Sequence, residues 1–162
     1  MDIIFQKPKP GDIGWLISVH GKSYAKQFNF DAEFEIDIAR KVIAFLEAKN
    51  DFNLLLIANA DHCRAGSIAV SEKAGDTAFI NFVLVLEEFR QFGIATGLLK
   101  TVIDHCRSAN FRKIYLETYS CLSDARRLYK KFGFTPYKTK KGVAKYGQFF
   151  DQEFWEMRID DD

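Results

Sequence analysis

The 162-residue chain has little of what marks most specialised protein classes. Its 3 cysteines, at 63, 106 and 121, are an odd number with no Cys-x-x-Cys pair. Free thiols in a reducing compartment fit this better than a disulfide framework. With only 3 prolines, no low-complexity tract and no internal repeat, nothing divides the chain, and it reads as one domain over residues 1–162. Neither sign of charge dominates. The 23 Lys+Arg against 22 Asp+Glu leave a net charge of +1, too weak a field to collect a phosphate backbone, so no nucleic-acid partner is expected. Long apolar runs are absent too. The opening MDIIFQKPKPGD holds none suited to a signal peptide, and Leu54–Ala58 and Phe82–Leu86 are strand-sized. The expectation is a soluble, cytoplasmic protein with no membrane partner.

What the chain has in quantity is aromatic side chains, 15% of residues with 16 Phe, 6 Tyr and 2 Trp. Each buried aromatic removes roughly 150–250 Å² from water, enough for a sizeable core without staples. Patterning supplies the elements. Ile3–Gln6 suits a short strand. Asp12 is placed to cap a helix through Leu16 and His20, and Asp31 to start a second whose apolar face is Phe34, Ile38, Val42, Phe45 and Leu46. Strands at Asn53–Ala58, Ala65–Val70 and Ala78–Leu86, parted by turn residues, suit an antiparallel meander. Ile94, Leu98, Val102, Cys106 and Ala109 form the clearest helical stripe. Lys113–Tyr119 is a strand, and Leu122–Phe132 a helix closed by Gly133. Phe134–Lys138 and Phe149–Ile159 are the last strands, separated by a Lys/Gly loop carrying Lys138, Lys140, Lys141 and Lys145. The fold expected is α/β (α+β), a mixed, mostly antiparallel sheet of about seven strands with four helices, ordered β-α-α-β-β-β-α-β-α-β-β. The helix between the fourth and fifth strands implies one parallel crossover.

The chemistry concentrates in Phe82–Leu99, where a buried strand enters a tight turn at Gly93 and the strongest helix follows at once. Unpaired N–H groups and a partial positive charge make a helix N-terminus an anion site. The small residues Gly93, Ala95 and Gly97 either admit a pyrophosphate to the backbone or let the helix pack tightly on the sheet. No P-loop or Rossmann glycine pattern is present.

Arg90-x-x-Gly93-x-Ala95 resembles the Arg/Gln-x-x-Gly-x-Gly/Ala signature of the GNAT superfamily of N-acetyltransferases. Val83-Leu84-Val85 resembles the family's preceding strand. Ala125-Arg126-Arg127-Leu128-Tyr129-Lys130-Lys131-Phe132-Gly133-Phe134 resembles its second signature, Ala-x-x-Leu-Tyr-x-x-x-Gly-Phe. Around His20-Gly21, Tyr24-Ala25, Phe28, Phe30-Asp31 and Phe34-Glu35, the chain is similar to acetyltransferase halves found fused to MarR-type regulators.

The resemblance implies an acetyl-CoA-dependent N-acetyltransferase acting by direct attack of a primary amine, on a small molecule or a peptide. Acetyl-CoA is the implied co-substrate. Main-chain groups of Val83, Leu84 and Val85 would pair with the pantetheine arm, N–H groups of Gln91, Phe92, Gly93, Ile94, Ala95 and Thr96 would hold the pyrophosphate, and Arg90 would belong to the same cofactor site. An N–H near Val85 would face the oxyanion. Tyr129 takes the position of the family's general acid, and Glu117, on the fifth strand, that of a catalytic glutamate; a water chain is the other route for the amine's proton. Where the family often has Asn, this chain has Leu122, so Ser123 is the substitute contact to pantetheine. Tyr24, Phe28, Phe30 and Tyr146 come from regions that wall the acceptor pocket in relatives. Packing explains them equally well, as it does Phe45, Phe52, Phe79, Phe82, Phe132 and Phe134. The lysine loop is either a solvated loop or a contact for an acidic acceptor or the CoA 3′-phosphate.

No metal is expected. Cys106 lies on the apolar stripe of its helix and His105 on the other side, so one helix cannot aim both at one ion. Cys121 lacks a base. A homodimer is left open. Two rival readings stand: a non-catalytic acyl-CoA-binding or sensing module, and a nucleic-acid-associated modifier using the lysines, against which the net charge argues.

Overall fold

The computed structural model describes residues 1–159; the end of the expected 1–162 domain lies outside them. Seven strands form one sheet: β1 (Ile3–Gln6), β2 (Leu54–Ala60), β3 (Cys63–Ala74), β4 (Thr77–Val85), β5 (Lys113–Tyr119), β6 (Thr135–Lys145) and β7 (Gln148–Arg158), in the order β1-β2-β3-β4-β5-β7-β6. The helices are α1 (Asp12–Phe28), α2 (Ala32–Glu47), α3 (Ile94–Ser108) and α4 (Ser123–Lys131). The mixed, mostly antiparallel α/β architecture and element order expected from the sequence are those of the molecule. Among the described strands only β4 and β5 run parallel.

Alternation along the strands sorts side chains onto two faces. On one, Leu56, Ile68, Val70, Ile80, Ile114 and Leu116 pack against the α3 stripe and Tyr129 of α4. On the other, Leu55, Ile57 and Ala69 meet Leu16 of α1 and Phe34, Ile38 and Val42 of α2. Asp31 caps α2 by accepting the Glu33 N–H at 3.0 Å. Arg126 of α4 forks onto the buried Glu153 of β7 at 2.9 and 3.0 Å, which ties that helix to the sheet. Such bidentate, charge-assisted bonds are among the stronger polar ties a protein makes.

The feature that shapes the site is a bulge in β4. Ser67 pairs with Leu84 but Ala69 with Asn81, so Phe82 and Val83 together oppose Ile68. Phe82 takes φ +56, and its carbonyl accepts from Ser67 Oγ at 2.7 Å while its N–H donates to Asn81 Oδ1 at 3.2 Å. The extra residue exchanges the faces of the strand. Ile80 points to the α3 side, whereas Phe82 joins the α1–α2 core. Parallel pairing with β5 covers only Thr77–Phe79 against Lys113–Tyr115, and beyond it the two strands part.

Local expectations change in three places. Gly11, at φ +95, occupies the cap position of α1. Asp12 is instead its first helical residue, fully buried, accepting the Lys9 N–H at 2.9 Å and lying 3.6 Å from Arg64. The Lys/Gly loop is strand: β6 runs on to Lys145, and the hairpin turns at Tyr146–Gly147, both at positive φ, as a two-residue hairpin loop requires. Its lysines lie on the outer edge of the sheet, where charge discourages pairing with another strand. Gly97 serves packing, because a Cβ there would lie 2.8 Å from the Phe5 ring.

Candidate active site

The parting of β4 and β5 opens a cleft of about 690 Å³. One wall is Val83–Val85. The Leu86 N–H bonds the Ala65 carbonyl at 2.8 Å, so by alternation the main-chain groups of Val85 and Val83 turn away from β3, toward the gap. The Val85 carbonyl there accepts from Arg90 Nε at 3.3 Å. The same guanidinium donates to Gln27 of α1 at 2.9 Å and lies 3.9 Å from Asp124 of α4, so it ties together the three elements around the opening.

The end of the cleft is the turn from β4 into α3. Gln91 at φ +69 and Gly93 at φ +80 bend the backbone, and no side chain caps the helix. The first intrahelical bond is from Gly97 to the Gly93 carbonyl, which leaves the N–H groups of Ile94, Ala95 and Thr96 without helical acceptors. Those three residues, with Arg90, Gln91 and Gly93, line the cleft. Phe92 does not; its ring is 52% exposed and points outward. Across the gap Ser123 and Leu122 begin α4, which also lacks a side-chain cap. Arg127 and Lys131 line the same cleft one turn apart on α4, and Asp124 is the only carboxylate among its lining residues. On a helix rich in surface charge they gave sequence reading no signal of their own. The lysines of β6 line neither cavity.

A second cavity of about 230 Å³ adjoins the first, and Tyr24, Val83, Leu122 and Ala125 border both. Its walls come from both faces of the sheet, with Tyr129 on one side and Phe34, Phe82 and Tyr119 on the other. Tyr129 packs its ring against Phe134 and Trp155, and burial pushes its phenol pKa up, so the hydroxyl stays protonated at neutral pH. Burial raises Tyr24 in the same way, reinforced by Tyr129 and Tyr119. Glu117 lies at the exposed side of this cavity and accepts from Gln152 at 3.2 Å. Asn81 also lines it, with its carbonyl oxygen engaged by the bulge.

The four aromatic acceptor-side residues divide. Tyr24 and Phe28 border the large cleft, Tyr24 the small cavity as well. Phe30 and Tyr146 line neither. They are 4% and 5% exposed in the α1–α2 core, because the β6–β7 hairpin folds over it and the Tyr146 hydroxyl donates to Asp37 at 2.9 Å. Sequence reading missed His20 and Thr118, both buried and both in the wall of the small cavity. Of the remaining aromatics, Phe134 is core, while Phe79 and Phe82 face the small cavity. His105 stacks on Phe52 and bonds its carbonyl, and Cys106 is buried with its thiol pKa pushed up to about 12. Among the described residues no three His, Cys, Asp or Glu side chains gather at ligating range, and no helix is long and apolar enough to cross a membrane.

A split β4–β5 pair, an uncapped helix facing the gap and a tyrosine-bearing helix opposite are the arrangement that the resemblance to acetyltransferases leads one to expect. A model of the acetyltransferase (GNAT) family matches residues 20–134, and the chain belongs to that family. It is 36% identical over 64 residues to "Probable N-acetyltransferase camello" of Xenopus tropicalis, a stretch covering 40% of this chain and 29% of that protein's length. Solved structures share the fold. A GNAT-family acetyltransferase of Staphylococcus aureus Mu50 superposes with a TM-score of 0.79 at 20% identity, over 98% of this chain and 100% of that one. The Salmonella typhimurium protein yncA, solved with its cofactor acetyl-CoA, gives 0.79 at 16% identity, over 100% of this chain and 96% of that one.

Proposed function

We propose that the protein transfers the acetyl group of acetyl-CoA to a primary amine of a small molecule or peptide by direct attack. The observation that carries this reading is the pair of cavities, about 690 and 230 Å³, meeting at Tyr24, Val83, Leu122 and Ala125, of which the reading gives the larger to the donor and the smaller to the acceptor. The first cleft combines main-chain groups along Val83–Val85, unpaired N–H groups at the start of α3 and an excess of cationic side chains, the complement of a pantetheine arm ending in phosphates. That yncA holds acetyl-CoA on the same fold supports this choice of donor. Leu122 and Ser123 face the arm from the other side, Leu122 as an apolar contact where the family often has an amide and Ser123 as the substitute polar one.

In the step itself the neutral amine nitrogen attacks the thioester carbon, and the oxygen's developing charge is met by the N–H near Val85. The C–N bond forms, the C–S bond breaks, and the departing thiolate takes the Tyr129 proton. Glu117, at the open side of the acceptor cavity, receives the proton the amine loses, directly or through water.

The test is a thermal shift with acetyl-CoA followed by CoA-release assays over a panel of amines. Acetyl-CoA at 100 times its Kd adds about 2.7 kcal/mol of stability. Absence of any shift sinks the donor assignment. A shift without amine-dependent thiol release favours the acyl-CoA sensor instead.

A further inference from the structure

The small cavity holds two polar groups that acetyl transfer does not call for. His20, 2% exposed on α1, has its Nδ1 2.8 Å from the Leu16 carbonyl. A carbonyl only accepts, so Nδ1 carries the proton. Burial lowers the pKa to about 4, which keeps the ring neutral at pH 7. Nε2 is therefore a bare acceptor, buried and without a partner among the described residues. Thr118 Oγ1, on β5, is equally buried and equally unpartnered. The two arrive from different elements, yet both line this one cavity. Buried polar atoms without partners are few in native proteins and call for an explanation.

We propose that His20 and Thr118 form the recognition floor of the acceptor site, His20 Nε2 accepting a hydrogen bond from an uncharged N–H or O–H of the acyl acceptor and Thr118 Oγ1 completing the contact. The inference rests on the acetyl-transfer reading of the same cavity. Exposed Lys41 and Glu117 mark the solvent end, and His20 and Thr118 the interior end. Between them Phe34, Phe79, Phe82 and Tyr119 surround the acceptor's body. About 230 Å³ with such walls suits a small arylalkyl amine or a side-chain terminus of that shape. A carboxylate at the inner end is rejected, because it would set its own lone pairs against Nε2. His20 is thus a specificity-determining residue, not the base.

The chain has 3 histidines, at 20, 62 and 105, so ¹⁵N-histidine labelling with single His→Gln variants assigns each ring. The probes are 2-phenylethylamine and 2-amino-1-phenylethanol, added to the protein saturated with CoA. The expected result is a shift of the His20 Nε2 resonance toward its hydrogen-bonded position, with the Nδ1 proton retained and His62 and His105 unmoved. A shift with the amino alcohol alone makes its hydroxyl the donor and supports the proposal; a shift with 2-phenylethylamine, whose N–H groups are those of the attacking amine, would put the reacting nitrogen on His20 and overturn its role in recognition. If neither probe moves Nε2, or the ring becomes imidazolium, or the cavity keeps a resident water that no probe displaces, the proposal is overturned, whatever the transfer assay shows. Absence of an acetyl-CoA thermal shift overturns the transfer reading separately. In kinetics, His20→Phe and Thr118→Val each raise the KM of an accepted probe roughly five- to tenfold, the loss of one uncharged hydrogen bond. The KM for acetyl-CoA does not change, and His20→Gln, which keeps an acceptor oxygen, recovers part of the loss.

Discussion

Tyr129→Phe removes one oxygen from a side chain whose other contacts a phenylalanine keeps. The ring packs edge-to-face against Phe134 and Trp155, at centroid distances of 6.0 and 6.4 Å, and the hydroxyl bonds no protein group among the described residues. Deleting it breaks nothing in the fold, so stability changes by no more than about 0.5 kcal/mol. A general acid contributes about 10²- to 10⁴-fold, or roughly 3–5 kcal/mol of barrier, and that is the expected loss in kcat. The KM for acetyl-CoA stays near the wild-type value, because the proposed site holds the donor by main-chain groups and the start of α3, not by Tyr129. The assay is thiol release at saturating acetyl-CoA with an accepted amine, paired with urea denaturation of both proteins. A kcat within about threefold of wild type refutes the acid role. A large loss of stability would refute the structural premise, since it requires a partner for the hydroxyl.

Other perturbations separate packing from chemistry. Phe30→Ala costs about 3–5 kcal/mol in denaturant titration as a buried aromatic truncation, with no change in acceptor KM at temperatures where it folds. Arg90→Ala frees the Val85 carbonyl and the α1 and α4 contacts; calorimetry should show weaker acetyl-CoA binding and urea melts a loss of about 1–3 kcal/mol. His20 predicts a pH dependence with a definite sign. Its folded pKa of about 4 lies below the ordinary 6.5, so the unfolded chain binds the proton first as pH falls. This part of the stability is intact above pH 6.5 and declines toward pH 4 by about 3 kcal/mol in total. The wild-type minus His20→Gln difference in unfolding free energy, measured at pH 7 and pH 4.5, should show that decline. Replacing Lys138, Lys140 and Lys145 with threonine should leave acetyl-CoA binding unchanged and increase association of the sheet edge, read by light scattering.

What was legible in the sequence was local. The turn from β4 into α3 carries its own instructions, since Gly93 supplies the positive φ and the residues after it supply the free N–H groups. The Asp31 cap and the α3 stripe were likewise readable, as their partners lie within a few residues. The rest depended on distant partners. Tyr146 and Phe30 became core because a hairpin tip seats under α2, where the Asp31 N–H donates to the Tyr146 carbonyl. The half of β6 beyond Lys138 reads as loop because it is exposed along nearly its whole length and so shows no alternation. The reason for Gly97 is Phe5, at the other end of the sequence. His20 looks like one more position on an amphipathic helix until β5 brings Thr118 to the same cavity.

The central claim is that the gap between β4 and β5 holds acetyl-CoA with its thioester beside the second cavity. A crystal structure of the protein with acetyl-CoA tests it most directly. The account predicts the pantetheine arm alongside Val83–Val85, the pyrophosphate on the N–H groups of Gln91–Thr96, and the sulfur within hydrogen-bonding reach of the Tyr129 hydroxyl. A cofactor bound elsewhere, or one whose sulfur is turned away from Tyr129 and the shared wall at Tyr24 and Leu122, would contradict it.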